Sequence, residues 1–558
     1  MNERLGAIAE RFWDRAMKEL PIWATILGDH RFDAEVEDLS AAHEQQTIAD
    51  YTALRDEAET VDPAGLSGDD RITRHVLMSE ADGYIGAMQS RQHEYLVDPM
   101  LGLHMDIVQG VSQFRATEDT HAWDFVEKAS KVGRQFDQLT ERHHQGVANG
   151  RTPPQISVEK VIAQLDSLVA APVESNAFLQ VTLPDTMVQS DQERWRDAMA
   201  EQVRTVVNPA FERYRTMIAD EVLPHARPQE KSGVCWLPDG DEVYARAVKR
   251  FTSLDMDPVQ IHQIGLDEIG SLQDEYRQLG DGVLGTTDLT GIYERLRNDP
   301  ALRFEAPGQI QDQAERATAR ANEATPEWFG RLPVAECIVR PIPEPGAKDA
   351  PLAYYMPPAN DGSRPGIFFV NLTEPTTRTR YESEALAFHE GVPGHHLQLA
   401  IAQELDGVPS FRRNGLVTVY VEGWGLYCER LADEMGLYSG DLERFGILSF
   451  DSWRAGRLVV DTGMHALGWS RQQAIDYFME NSPQAQNNIE NEVDRYIGYA
   501  GQALAYKVGQ REIFRLRDDA RRTMGDRFDI KGFHDTVLTS GPVPLDLLDE
   551  LVSEWAAN

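Results

Sequence analysis

The sequence predicts a mainly α protein with one small β element. Two observations lead there. Apolar residues recur at helical spacing through most of the 558 residues, and strand-like runs are confined to one short stretch. No internal repeat or low-complexity segment interrupts this pattern. The length allows two or three domain-sized units.

In chain order, residues 1–225 read as a series of amphipathic helices. Ser40 to Glu59 and Asp191 to Val222 are examples, and turns such as Asp62-Pro63-Ala64-Gly65 and Arg151-Thr152-Pro153-Pro154 separate them. A composition shift from Leu223 to Gly240, with Pro224, Pro228, Gly233 and Pro238, reads as a loop. It divides an N-terminal helical lobe, 1–225, from a C-terminal lobe, 226–558, expected to carry the catalytic site; the two can also pack as one continuous domain. Helices are expected to resume at Asp257-Pro258, an N-cap followed by proline at the first helical position. Strands are expected at Cys337–Arg340, Ala353–Met356 and Ile367–Asn371, with ANDGSRPG as a hairpin connection between the last two. A helix follows from about Arg380. Later helices are expected to start at Ser470, with Gln473 completing a capping box, and at Ser482-Pro483.

Composition excludes several classes of function. The net charge is −37, from 91 acidic and 54 basic side chains, which repels a phosphate backbone or an anionic membrane surface. Neither nucleic acid nor membrane is therefore an expected partner. Cys235, Cys337 and Cys428 lack paired spacing and describe neither a disulfide framework nor a cysteine metal site. The start, MNERLGAIAERFWDRAM, is a charged amphipathic pattern without the apolar core of a signal peptide, so a cytoplasmic protein is expected. A homodimer is compatible with the sequence.

The strongest chemical signal is His389-Glu390-Gly391-Val392-Pro393-Gly394-His395-His396. A His-Glu pair on a helix with a second histidine nearby is the zincin arrangement, in which imidazoles hold zinc and the glutamate handles the proton of the attacking water. The spacing departs from H-E-x-x-H, because the fifth position is Pro393. On a regular helix His395 would lie ~120° around and ~9 Å along from His389, and His396 ~10 Å along. Proline and glycine let the helix bulge or break there and return His395 toward His389. His395 is thus the preferred second ligand and His396 the alternative. A third ligand is expected downstream, where Glu422 and Glu429 share one face of an apolar helix. Glu422 is preferred, with Glu429 behind it or as its substitute.

Two polar stripes accompany these groups. Arg454, Arg457, Asp461 and His465 are spaced for one helix face, as are Arg495, Tyr499, Gln502 and Tyr506. His465, Tyr499 or Tyr506 could stabilise an oxyanion. The arginines could grip a substrate carboxylate; Gln502 joins them as a candidate substrate contact. An internal salt-bridge network is the competing reading of Arg454, Arg457 and Asp461. Ile367–Asn371 could offer a sheet edge to a peptide, making Asn371 a candidate contact.

The strings RYESEALAFHEGVPGHHLQ, VEGWGLYCERL, RLVVDTGMHALGWS and RYIGYAGQALAYKVGQ resemble the bacterial family called "domain of unknown function 885". The likeness runs from Ala24 to the C-terminal GPVPLDLLDELV. The fold of that family is similar to that of carboxypeptidase Taq and, more distantly, of thimet oligopeptidase. This kinship implies a helical bundle around a deep channel with zinc at its floor. It carries the His-Glu pair onto His389 and Glu390, the second ligand onto His395, and the glutamate ligand onto Glu422. The oxyanion tyrosines fall within 496–506. The expected function is that of a metallopeptidase binding one zinc ion, with Glu390 as general base, acting on short peptides. The alternatives are a zinc hydrolase of a non-peptide amide and a helical binding protein with a degenerate metal site.

Overall fold

The computed structural model describes residues 1–343, 347, 351–359 and 364–558. Among these, twenty-three α-helices carry the fold, and a three-stranded sheet is its β part. The expected class, mainly α with one small sheet, is what the chain forms.

Local signals account for many of the boundaries. Ser40 caps the helix Ala41–Glu59 through the His43 amide, and Asp257 caps Pro258–Leu284 through the amides of Val259 and Gln260. Ser470 and Gln473 form a reciprocal capping box on Arg471–Asn481. Two expected starts are corrected. Helical structure resumes at Gly240, not at Asp257, because Gly240–Thr252 forms a helix with a strongly apolar face. Ser482-Pro483 starts no helix. The Ser482 hydroxyl turns back to the Phe478 carbonyl at 2.9 Å, and the next helix runs Gln486–Gly498.

Among the described residues, the two largest hydrophobic cores organise the packing. One gathers residues on both sides of residue 225, from Ile8 to Ala556; the other lies within Ile22 to Val222. The contact of Phe12 with Phe411, ring centres 5.2 Å apart, shows how the first helix joins the C-terminal half. No helix among the described residues is long and apolar enough to cross a membrane.

The sheet comprises β1 (Cys337–Pro341), β2 (Ala353–Met356) and β3 (Gly366–Val370), in the order β1-β3-β2. β3 runs parallel to β1, pairing Ile338 with Ile367, and antiparallel to β2, pairing Tyr355 with Phe368. The connection expected at ANDGSRPG falls partly on residues 360–363, outside the described residues. β3 is the central strand, paired along both sides, so it offers no edge to a peptide, contrary to expectation.

Candidate metal centre

The metal-type donors meet at an interruption in the chain. The helix Ser383–Glu390 stops, Gly391–Gly394 forms a break, and a second helix runs His395–Gln403. Gly394 permits the tight return: a Cβ there would sit 1.9 Å from the His389 carbonyl oxygen, which only glycine avoids. The helix Thr418–Glu434 fixes the break from outside. Its Trp424 indole donates to the Pro393 carbonyl at 3.0 Å, and the Cys428 thiol reaches the same oxygen at 3.3 Å. The helix that holds the break in place thus also carries Glu422.

This arrangement brings three ligand-type side chains together. Ligand atoms of His389, His395 and Glu422 all lie within 4.8 Å of one another. Glu422 Oε2 is 3.8 Å from His389 Nε2 and 3.6 Å from His395 Nε2. Ligands at ordinary zinc distances around a tetrahedron stand about 3.4 Å apart, so the set is close to coordination spacing. The two imidazole planes cross at 84°, with ring centres 4.7 Å apart, and both Nε2 atoms lie within 3.8 Å of the same Glu422 oxygen. Gly425 makes room, since a Cβ there would lie 2.7 Å from His389 Cε1.

Glu429, one face-repeat along from Glu422, lies behind the cluster. Its Oε1 accepts from His389 Nδ1 at 2.8 Å, leaving Nε2 aimed at the centre. Burial alone would depress His389, yet the carboxylates of Glu422 and Glu429 carry it up to about 9. Burial also opposes ionisation of Glu422, but His389 and His395 hold its carboxyl well below the usual range. Glu390 sits within the electrostatic reach of both histidines and Glu422, and burial pushes its carboxyl up. Glu390 and Glu422 are nevertheless only half-buried.

The remaining expected residues divide. His396 faces away: Nδ1 accepts from the Tyr355 hydroxyl at 2.9 Å, Nε2 donates to the Ala335 carbonyl at 3.1 Å, and burial lowers it to about 4. It ties its helix to the sheet. His465 is fully buried with both nitrogens engaged, Nδ1 by the Val234 amide at 3.1 Å and Nε2 by the Tyr496 carbonyl at 2.9 Å. It has no free nitrogen for a reacting oxygen, so its expected catalytic part is corrected to a structural one. Asn371 likewise spends its amide on the chain, donating to Ala347 and Pro351 carbonyls and accepting from Thr373. Arg495, Tyr499, Gln502 and Tyr506 do not share one helix. Gln486–Gly498 ends, the chain turns at Gly501 with φ 82°, and a new helix spans Ala505–Met524.

That turn still leaves both tyrosines near the centre. Burial and the charge of Glu422 push the Tyr506 phenol up, and Tyr499 also feels Glu422. Arg495 donates to Gln502 Oε1 at 2.9 Å and pairs with Glu492 at 2.9 Å; Arg457 pairs with the same Glu492 at 3.0 Å. Sequence reading did not single out Glu492, although it lies three residues before Arg495 on one helix. Tyr499 also lines a surface pocket that Arg246 and Arg250 border.

A second group of metal-type residues, His30, Asp33 and His121, lies elsewhere. Its imidazoles stack at 3.8 Å with planes 9° apart. Parallel rings cannot aim in-plane lone pairs at a common ion, so this set does not match the first.

The family described as "Bacterial protein of unknown function (DUF885)" matches residues 21–552. The chain belongs to the DUF885 family. No curated protein matches it. Among solved structures, this DUF885 chain is similar to a "putative lipoprotein" from Colwellia psychrerythraea, at 25% identity and TM-score 0.92 over 99% of each chain. It is also similar in fold to a "putative lipoprotein of unknown function" from Shewanella oneidensis, at 17% identity and TM-score 0.75, covering 98% of this chain and 99% of that one.

Proposed function

We propose that this DUF885 protein is a zinc-dependent peptidase that hydrolyses short peptides, with a site akin to that of carboxypeptidase Taq. The convergence of His389, His395 and Glu422, with Glu390 beside them, carries this reading. Mixed imidazole and carboxylate donors favour zinc, and three protein ligands leave a position open for substrate. When bound, the ion supplies Lewis-acid polarisation and makes hydroxide available near neutral pH.

The chain's own groups do the rest. Glu390 takes the proton of the attacking water on its carboxylate and delivers it to the departing amine. Its upward shift suits a group that must hold that proton between the two events. Tyr506, kept protonated by burial and Glu422, donates its hydroxyl hydrogen to the oxyanion, with Tyr499 as the second donor. A deep channel leading to the cluster would limit substrates to short peptides. The lipoprotein description of the Colwellia relative favours the cell envelope over the cytoplasm.

The test begins with elemental analysis, followed by a mixed peptide library with and without chelator. Glu390→Gln is expected to keep the ion and the fold and to lower kcat by about 100- to 10,000-fold. Full hydrolysis by that variant removes Glu390 as the base. A retained ion with no turnover of any peptide favours a binding protein, and turnover of simple amides alone favours a non-peptide amidase.

A further inference from the structure

Three arginines stand close to the proposed reaction centre, and they are not equivalent. Arg457 donates to the Tyr496 hydroxyl at 2.7 Å and pairs with Glu492 at 3.0 Å. Arg495 pairs with Glu492 and holds Gln502. One carboxylate therefore serves two guanidiniums, and the third is left out. Arg454 is 6% exposed, yet neither its Nε nor its Nη1 has a hydrogen-bond partner. No ion pair reaches it among the described residues. Its guanidinium is packed against the rings of Phe450 at 4.6 Å, Trp453 at 4.7 Å and Tyr506 at 5.7 Å.

A buried cation without a partner is costly, and aromatic faces offset only part of that cost. Such a group persists where a ligand completes it. Arg454 borders Tyr506 and lies within electrostatic reach of Glu390, so its unused N–H groups stand in the neighbourhood of the proposed reaction centre. A planar fork matches a carboxylate in bidentate fashion.

We infer that Arg454 is the anchor for a substrate carboxylate lying next to the bond to be cut. This inference rests on the peptidase reading and narrows it. The carboxylate has two sources, the C-terminus of a peptide or the side chain of an aspartate or glutamate beside the scissile bond. The first makes the enzyme a carboxypeptidase.

Binding measured without turnover separates this inference from the peptidase reading. The Glu390→Gln protein, supplied with zinc, is titrated calorimetrically with an N-acetyl dipeptide acid, the corresponding C-terminal amide, and an amide ending in aspartate. The acid, or the aspartyl amide, is expected to bind at least about tenfold more tightly than the neutral amide. Which of the two binds identifies the source. Arg454→Met in the same background is expected to abolish the preference, and Arg454→Lys, which keeps the charge without the fork, to retain only part of it. Equal binding of all three ligands overturns the inference, as does an undiminished preference in either Arg454 variant. A carboxylate preference that depends on Arg454, in a wild-type protein that cleaves no peptide, upholds the anchor and rejects the peptidase reading alone.

Discussion

At His389 both ring nitrogens have assigned tasks: Nδ1 donates to Glu429, and Nε2 faces Glu422 and His395. Glu429→Gln is expected to weaken affinity for a divalent cation by about 10- to 100-fold, read by competition with a chromophoric chelator. Because the two carboxylates hold His389 up to about 9, the cation-free centre carries a proton there at neutral pH. An arriving ion must displace it, so apparent affinity is expected to climb with pH until about 9 and then level. Calorimetry in buffers of different ionisation enthalpy checks this as a proton released on binding. At this scale the sequence was informative where covalent constraints spoke. Pro393-Gly394 marked the break, and the break distinguished His395 from His396. It was uninformative where a polar side chain could serve either a cavity or the backbone. His465 and Asn371 have the residue types of a reactive site, but their partners, the Val234 amide and the Ala347 carbonyl among them, come from remote segments.

Among the elements, the crossing of Thr418–Glu434 with Ala505–Met524 sets the geometry. Backbones touch there: a Cβ on Gly509 would lie 2.1 Å from the Val419 carbonyl oxygen, and one on Gly423 would lie 2.5 Å from Gly509 Cα. The crossing seats Tyr506 beside the helix that carries Glu422. Gly509→Ala is expected to cost about 1–3 kcal/mol in a denaturant titration and to impair the oxyanion role proposed for Tyr506, because the helices must separate. Asp451 pins the same region from Arg444–His465. Fully buried, it binds the ammonium of Lys507 and takes the Arg430 guanidinium at 2.6 Å. Burial alone would raise its carboxyl, but these two cations lower it to about 2. Its contribution to stability is therefore present above pH 3.8 and lost as pH falls through about 2. Asp451→Asn leaves Lys507 with Glu268 and Arg430 with Glu275 but removes the buried charge between them, and it is expected to cost about 1–3 kcal/mol, seen as a lower unfolding midpoint at neutral pH. Helix existence was legible from periodicity and caps. Strand order was not, since nothing local in Ile367–Val370 says whether one side or both will be paired.

For the molecule as a whole, the charge of −37 acts at a distance on whatever approaches the centre. If peptides are the substrates, kcat/KM for cationic peptides is expected to fall as salt is raised, and kcat/KM for anionic peptides to rise. A rate insensitive to salt for both would assign the acidic surface to solubility alone. The helical class could be read from the sequence, but the sharing of one core between Ile8 and Ala556 could not, because it depends on contacts between the ends of the chain. Neighbouring residues also divide their labour in a way that binds distant parts together. His395 points to the ligand cluster, while His396, one peptide unit on, is held by Tyr355 of β2 and by the Ala335 carbonyl just before β1. Two hydrogen bonds thus join the sheet to the residue beside a ligand-type side chain, a route by which strain on the strands can reach a donor atom without touching it. The affinity of a cation bound at the cluster would therefore register events at the sheet, as a strain gauge registers load on a beam.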